Sequence, residues 1–160
     1  MCTNHIAFFT QLYYPDMTTT AIIMTDLVED LAAYGMNTEV VCAQPTYIKD
    51  LGTEGFRYWG KYPRIEYHHG VAIRRVWSFL FDKNKILGRI LNSMSCFISM
   101  LLSLFSISRG ALLVFNTNPA LLPLLGFIGA KLRKQKYVVL VHDLWPELPT
   151  HIGMIKRRGA

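Results

Sequence analysis

Charge and cysteine are both scarce in this sequence. Only 18% of its 160 residues are Asp, Glu, Lys or Arg, while 51% are hydrophobic. Soluble domains usually carry roughly 25% charged residues, so the shortfall excludes intrinsic disorder and inclines the chain towards a membrane or partner surface. The three cysteines, Cys2, Cys42 and Cys96, lie far apart and form no C-x-x-C pair. Neither a disulfide framework nor a zinc site is indicated, and no metal is expected.

Several motifs are missing as well. No G-x-G-x-x-G, G-x-x-x-x-G-K-[ST], H-E-x-x-H or G-x-S-x-G occurs anywhere, which disfavours ordinary NAD dehydrogenases and P-loop nucleotidases. Residues 1–9 have no basic run and only a short apolar stretch, unlike a signal peptide. The expectation is a cytoplasmic chain in a reducing compartment, forming one domain over 1–160.

What is present alternates between strand and helix. Residues 6–9 form an apolar run short enough for a buried strand, followed by a polar, proline-containing turn over 10–16. Thr18, Thr19 and Thr20 then offer capping hydroxyls, and Ile23, Leu27, Leu31 and Tyr34 recur at helical spacing before Gly35, predicting a helix over 20–34. Residues 38–43 read as a second strand. Residues 44–63, rich in Gly, Pro and aromatics, read as an ordered loop. Residues 65–67 and 71–77, separated by His68, His69 and Gly70, suggest a hairpin or a pair of strands turning at glycine, and 112–115 and 137–141 are further strands around a helix over 120–132. The pattern is that of an α/β, doubly wound, Rossmann-like parallel sheet.

Residues 90–108 carry no charge. Asn92, Ser95, Ser99, Ser103 and Ser106 fall on one narrow helical stripe, and Met94, Phe97, Ile98, Leu101, Leu102, Leu104 and Phe105 cover the rest. Three readings stay open: a helix lying in the membrane interface, a helix packed in the core or between domains, and a true span, which so many hydroxyls disfavour. In the first, Lys83, Lys85 and Arg89 flank the start and Arg109 the end, with Phe97, Leu101 and Phe105 in contact with lipid. The basic run Lys131, Arg133, Lys134 and Lys136 reads as a helix terminus or as a lipid-facing patch; no nucleic acid partner is expected.

Open parallel sheets bind ligands outside the carboxyl ends of their strands. Two loops qualify. Asp16, Thr18, Thr19 and Thr20 lead into a helix amino terminus, where free amides attract phosphate or sugar hydroxyls, or simply form a cap. His142, Asp143, Trp145 and Glu147 follow the last strand and place an imidazole, two carboxylates and an indole within six residues. His5, His68, His69 and His151 show no ligand spacing and read as structural.

The stretch Phe8-Phe9-Thr10-Gln11-Leu12-Tyr13-Tyr14-Pro15-Asp16, the helix ending at Tyr34-Gly35, Thr38-Glu39-Val40-Val41, Gly70-Val71-Ala72-Ile73-Arg74-Arg75-Val76 and Val141-His142-Asp143-Leu144-Trp145-Pro146-Glu147 together resemble the amino-terminal domain of family 4 glycosyltransferases. The His-Asp-Leu-Trp-Pro-Glu stretch looks most like bacterial members that build capsule, exopolysaccharide or O-antigen sugars, including the fucosamine-transferase type. The resemblance implies the amino-terminal, acceptor-side half of a two-domain GT-B enzyme. Such enzymes move a sugar from a nucleotide-sugar to a lipid-linked or polysaccharide acceptor with retention of configuration.

The family's donor-binding half carries a Glu-x7-Glu motif that these 160 residues lack. The resemblance therefore implies an incomplete enzyme, inactive alone, whose donor half is a missing domain or a separate subunit. The domain would bind no cofactor itself, with the nucleotide-sugar as co-substrate of the whole enzyme. His142 and Asp143 match the family's histidine-containing turn beside the transferred sugar, with Trp145 and Glu147 supporting it. Asp16 to Thr20 match the loop after the first strand, with Met17, Thr18 and Thr19 where glycines are usual. Family members often dock on the inner leaflet, which implies a cytoplasmic protein peripheral to the membrane. The alternative is a non-catalytic Rossmann-like module that recruits a partner to the membrane.

Overall fold

The computed structural model describes residues 4–45, 64–79, 81 and 85–142. The expected loop is described only at 44 and 45; its remainder, together with Cys2, Lys83, Asp143, Trp145, Glu147 and His151, lies outside the described residues. The elements are β1 (His5–Thr10), α1 (Thr19–Ala33), β2 (Asn37–Ala43), β3 (Arg64–His68), β4 (Val71–Val76), α2 (Ile86–Leu104), β5 (Leu112–Asn116), α3 (Leu122–Arg133) and β6 (Tyr137–Leu140). They build one six-stranded sheet in the order β3-β4-β2-β1-β5-β6. Every pairing is parallel except the β3–β4 hairpin at one edge. The fold is mixed α/β, as expected, and compatible with a Rossmann-like arrangement.

β1 sits at the centre because its last four residues, Ala7 to Thr10, tolerate burial on both faces. Its even-numbered side faces α1, where Phe8 joins Tyr13, Met24, Val28, Val40, Cys42, Val71 and Ile73. Its other side faces α2 and α3, where Ala7 and Phe9 join Val41, Cys96, Met100, Leu104, Leu113, Phe115, Leu122 and Leu125. Each such large apolar side chain contributes about 1.5–3 kcal/mol on burial, so two filled cores hold the sheet between its helices.

α1 starts where Thr18, in extended conformation, accepts a hydrogen bond on Oγ1 from the Ala21 amide at 3.3 Å. It stops at Gly35, whose φ of +85° suits glycine, while the Gly35 and Met36 amides return to the carbonyls of Ala32 and Leu31. The buried face differs from the expected stripe. Ala21, Met24 and Val28 point inward, whereas Ile23, Leu27 and Tyr34 are exposed. Adjacent isoleucines at 22 and 23 make the helix apolar on two sides, so spacing did not single out the packed one.

α2 runs four residues earlier than the uncharged segment suggested, and its stripe of small polar residues turns inward at Asn92 and Ser95. The cause is the backbone that follows β4. Asn92 Oδ1 accepts from the Phe81 amide at 2.9 Å and its Nδ2 donates to the Phe81 carbonyl at 3.0 Å. Ser95 Oγ accepts from the Phe79 amide at 2.9 Å. Those amides and that carbonyl would otherwise be stranded against an apolar helix. Phe97 and Leu101, expected at lipid, are half-buried against the core instead. The outward face is built from Ile86, Leu87, Ile90, Leu91, Met94, Ile98, Leu102 and Phe105.

Candidate functional site

The chain order places the topological switch between β1 and β5. From β1 it winds outward through β2 to β4, then crosses by α2 to β5 on the other side of β1. The connections from the carboxyl ends of β1 and β5 lead to opposite sides there, which is the place where such sheets bind ligands.

Thr10 ends β1 and Asn116 ends β5, and both are fully buried. Asn116 Nδ2 donates to Thr10 Oγ1 at 2.8 Å, and Thr10 Oγ1 in turn donates to the Leu12 carbonyl at 2.9 Å. Just beyond the next strand, β6, the His142 amide donates to Thr117 Oγ1 at 3.0 Å, which fixes the His142 backbone there. Two polar atoms stay buried here without a hydrogen-bond partner among the described residues: Asn116 Oδ1 and His142 Nε2. Buried polar atoms are nearly always paired, so an orphaned amide oxygen and imidazole nitrogen at a switch point are suited to receive a hydroxyl-bearing ligand.

Of the residues named from sequence, His142 reaches this edge, and Asp143, Trp145 and Glu147 lie outside the described residues. Asp16 is buried after β1, Thr20 is half-buried and Thr19 exposed. Thr18 is engaged as the α1 cap rather than left open for a ligand. Thr10 and Asn116 were missed because each terminates an apolar run, where a lone polar residue looks like a boundary.

A second feature is a groove of about 330 Å³ between β4 and α2, lined by Arg74, Val76, Trp77, Ser99, Leu102, Ser103 and Ser106. The guanidinium of Arg74 is held there by Glu39 at 2.8 Å. The groove borders the outward apolar face of α2. Lys85 precedes that helix and is exposed, and Arg89 lies in its first turns. Among the described residues α2 is the one helix long and apolar enough to cross a membrane, and only 29% of that stretch is buried.

Of the basic run, Arg133 is committed inside the protein. It donates to the carbonyls of Leu104 and Ile107 at the carboxyl end of α2, tying α3 to α2. Lys131, Lys134 and Lys136 stay exposed.

Cys42 and Tyr13 are buried on the α1 side of the sheet and Cys96 on the α2 side. Burial pushes the Cys42 thiol up to about 11, against the lowering effect of the Arg75 guanidinium, and pushes Cys96 up to about 12. Burial, then the negative charge of Glu29, raises Tyr13 as well. These groups are neutral near pH 7 and unsuited to nucleophilic work.

No protein-family model matches this chain, and no curated protein matches it.

Proposed function

We propose that this chain is the acceptor-binding half of a retaining glycosyltransferase of cell-surface glycan synthesis, working at the inner face of the cytoplasmic membrane. A nucleotide-sugar is held by a separate donor-binding domain or subunit, and a lipid-linked or saccharide acceptor is received here. The observation that carries the reading is the pair of orphaned polar atoms, Asn116 Oδ1 and His142 Nε2, at the switch-point edge. An acceptor hydroxyl can donate to the amide oxygen and meet the imidazole nitrogen, which orients it for attack; positioning of this kind accounts for much of the rate in such transfers.

The exposed apolar face of α2 supports the membrane part of the reading. Large aliphatic side chains with basic residues at the helix start suit an interfacial helix on an anionic surface. The same face favours the second reading, a non-catalytic module that recruits a partner enzyme to the membrane.

One experiment separates the two. In a transfer assay that joins the chain to its donor-binding domain, His142→Ala lowers sugar transfer by tenfold or more with the fold intact if the edge is an acceptor site. Unchanged transfer supports the recruitment module and sinks the enzyme reading.

A further inference from the structure

Glu29 stands 39 residues before the adjacent His68 and His69 and shows no ligand spacing with them, yet the fold brings the three together. Glu29 lies on α1, His68 ends β3, and His69 is the first residue of the two-residue β3–β4 turn. His69 Nδ1 lies 2.7 Å from Glu29 Oε2, His68 Nε2 lies 3.5 Å from Glu29 Oε1, and one donor atom from each of the three residues falls within 4.8 Å of the others. This cluster sits at the amino-terminal end of β4, the opposite edge of the parallel sheet from His142.

We propose that these three residues form a binding site for a divalent transition-metal ion of the zinc class, clipping α1 to the β3–β4 hairpin. Two imidazoles and a carboxylate are a donor set that suits zinc and its neighbours, and they leave at least one position to water. The two carboxylate oxygens are already divided between two imidazoles. A metal ion gives a partner to Glu29 Oε1, which is buried, lies 3.5 Å from His68 Nε2 and makes no hydrogen bond among the described residues.

The rings are oriented in advance. Tyr14 stacks on one face of His68 at 3.8 Å between centroids, and His69 stacks on the other at 4.1 Å. Tyr14 is itself anchored, its amide donating to Thr25 Oγ1 at 3.2 Å and its carbonyl accepting from Arg75 at 2.6 Å. Such support around a ligand set holds it near coordinating geometry.

The turn itself departs from local rules. His69 and Gly70 have φ of +45° and +82°, and two-residue hairpin turns with both φ positive favour Asn-Gly or Asp-Gly. A histidine where Asn is the low-strain choice is the kind of local conflict expected where a side chain has work to do. His69 is also 68% exposed on its side chain, which gives an ion a way in.

The test is titration of the chelator-stripped chain with zinc chloride, followed by calorimetry and thermal melting. The expected result is one ion per chain, a melting temperature raised by zinc, and affinity at least about 10- to 100-fold weaker in His68→Ala, His69→Gly and Glu29→Gln, a loss that even outer-sphere partners of metal ligands produce. His69→Gly keeps a residue at ease in the left-handed turn, so its fold survives and its lost zinc response reports ligation. Zinc affinity equal to wild type in His69→Gly overturns the proposal, as does a wild-type chain that takes up no zinc. Replacing zinc with cobalt adds a further check, since a thiolate-to-cobalt absorption band would place the ion on cysteine and equally overturn it. None of these readouts depends on sugar transfer.

Discussion

Asn116 Nδ2 donates to Thr10 Oγ1 over 2.8 Å, joining residues 106 apart in sequence. The bond links the ends of β1 and β5 at the point where the chain's two halves diverge. It fixes the amide so that its oxygen, rather than its nitrogen, is left for a ligand.

Asn116→Ala should therefore destabilise the fold by about 1–3 kcal/mol, the range for leaving a buried hydrogen-bonding partner unsatisfied. Urea midpoints measure this. In the transfer assay Asn116→Asp should also lower transfer, because a carboxylate cannot donate to Thr10; unchanged transfer would remove Asn116 from the acceptor site.

Arg75 is fully buried and donates to Glu66 Oε2 at 3.2 Å, to the Tyr14 carbonyl at 2.6 Å and to Cys42 Sγ at 3.4 Å. Arg75→Ala strands the Tyr14 carbonyl, empties a large volume and breaks a buried ion pair, so a loss of about 3–5 kcal/mol is expected. Arg75→Lys should rescue little of it, since an ammonium does not reproduce the guanidinium's spread of donors. Denaturant unfolding of both variants checks the ranking.

Gly126 lets α3 lie close to the sheet. A Cβ there would meet Tyr137 Cδ2 at 2.5 Å and Phe115 Cε2 at 3.0 Å. Gly126→Ala should cost about 1–3 kcal/mol through forced shifts, despite alanine's better helix propensity. A melting temperature at or above wild type would refute the close approach.

Alkaline pH should weaken the fold. Cys42 is raised from an ordinary 9.0 to about 11 and Cys96 to about 12, both by burial. Above pH 9 the unfolded chain holds fewer thiol protons than the folded one, so stability present below pH 9 is lost as pH rises through 11. The slope is up to about 1.4 kcal/mol per pH unit for each thiol. Cys42→Ser with Cys96→Ala should flatten the decline between pH 9 and 11 in chemical unfolding.

Leu102 is 68% exposed on the outward face of α2. Leu102→Ser should leave stability within about 0.5 kcal/mol. Its partition onto anionic vesicles should fall about 10- to 150-fold, by the roughly 1.5–3 kcal/mol that burying a leucine is worth. Equal sedimentation of the variant and wild type with vesicles would take the membrane out of the proposed function.

Sequence alone determined the alternation of elements. Apolar runs such as 6–9 and 112–115, the Thr18 cap, the Gly35 stop and the turn at Gly70 are local signals, because strand burial, capping and positive φ depend on a few neighbouring residues. His142 was legible for the same reason, standing directly after an apolar strand. The tertiary structure decided which side of each helix packs. In α1 and α2 apolar residues occupy more than one side, so the choice fell to the Phe79 and Phe81 backbone groups that Asn92 and Ser95 satisfy, and to the sheet surface that Met24 and Val28 fit. It also brought Asn116 to Thr10 and Glu29 to His68 and His69. Those meetings follow from strand order and parallel register, long-range properties that no local period encodes.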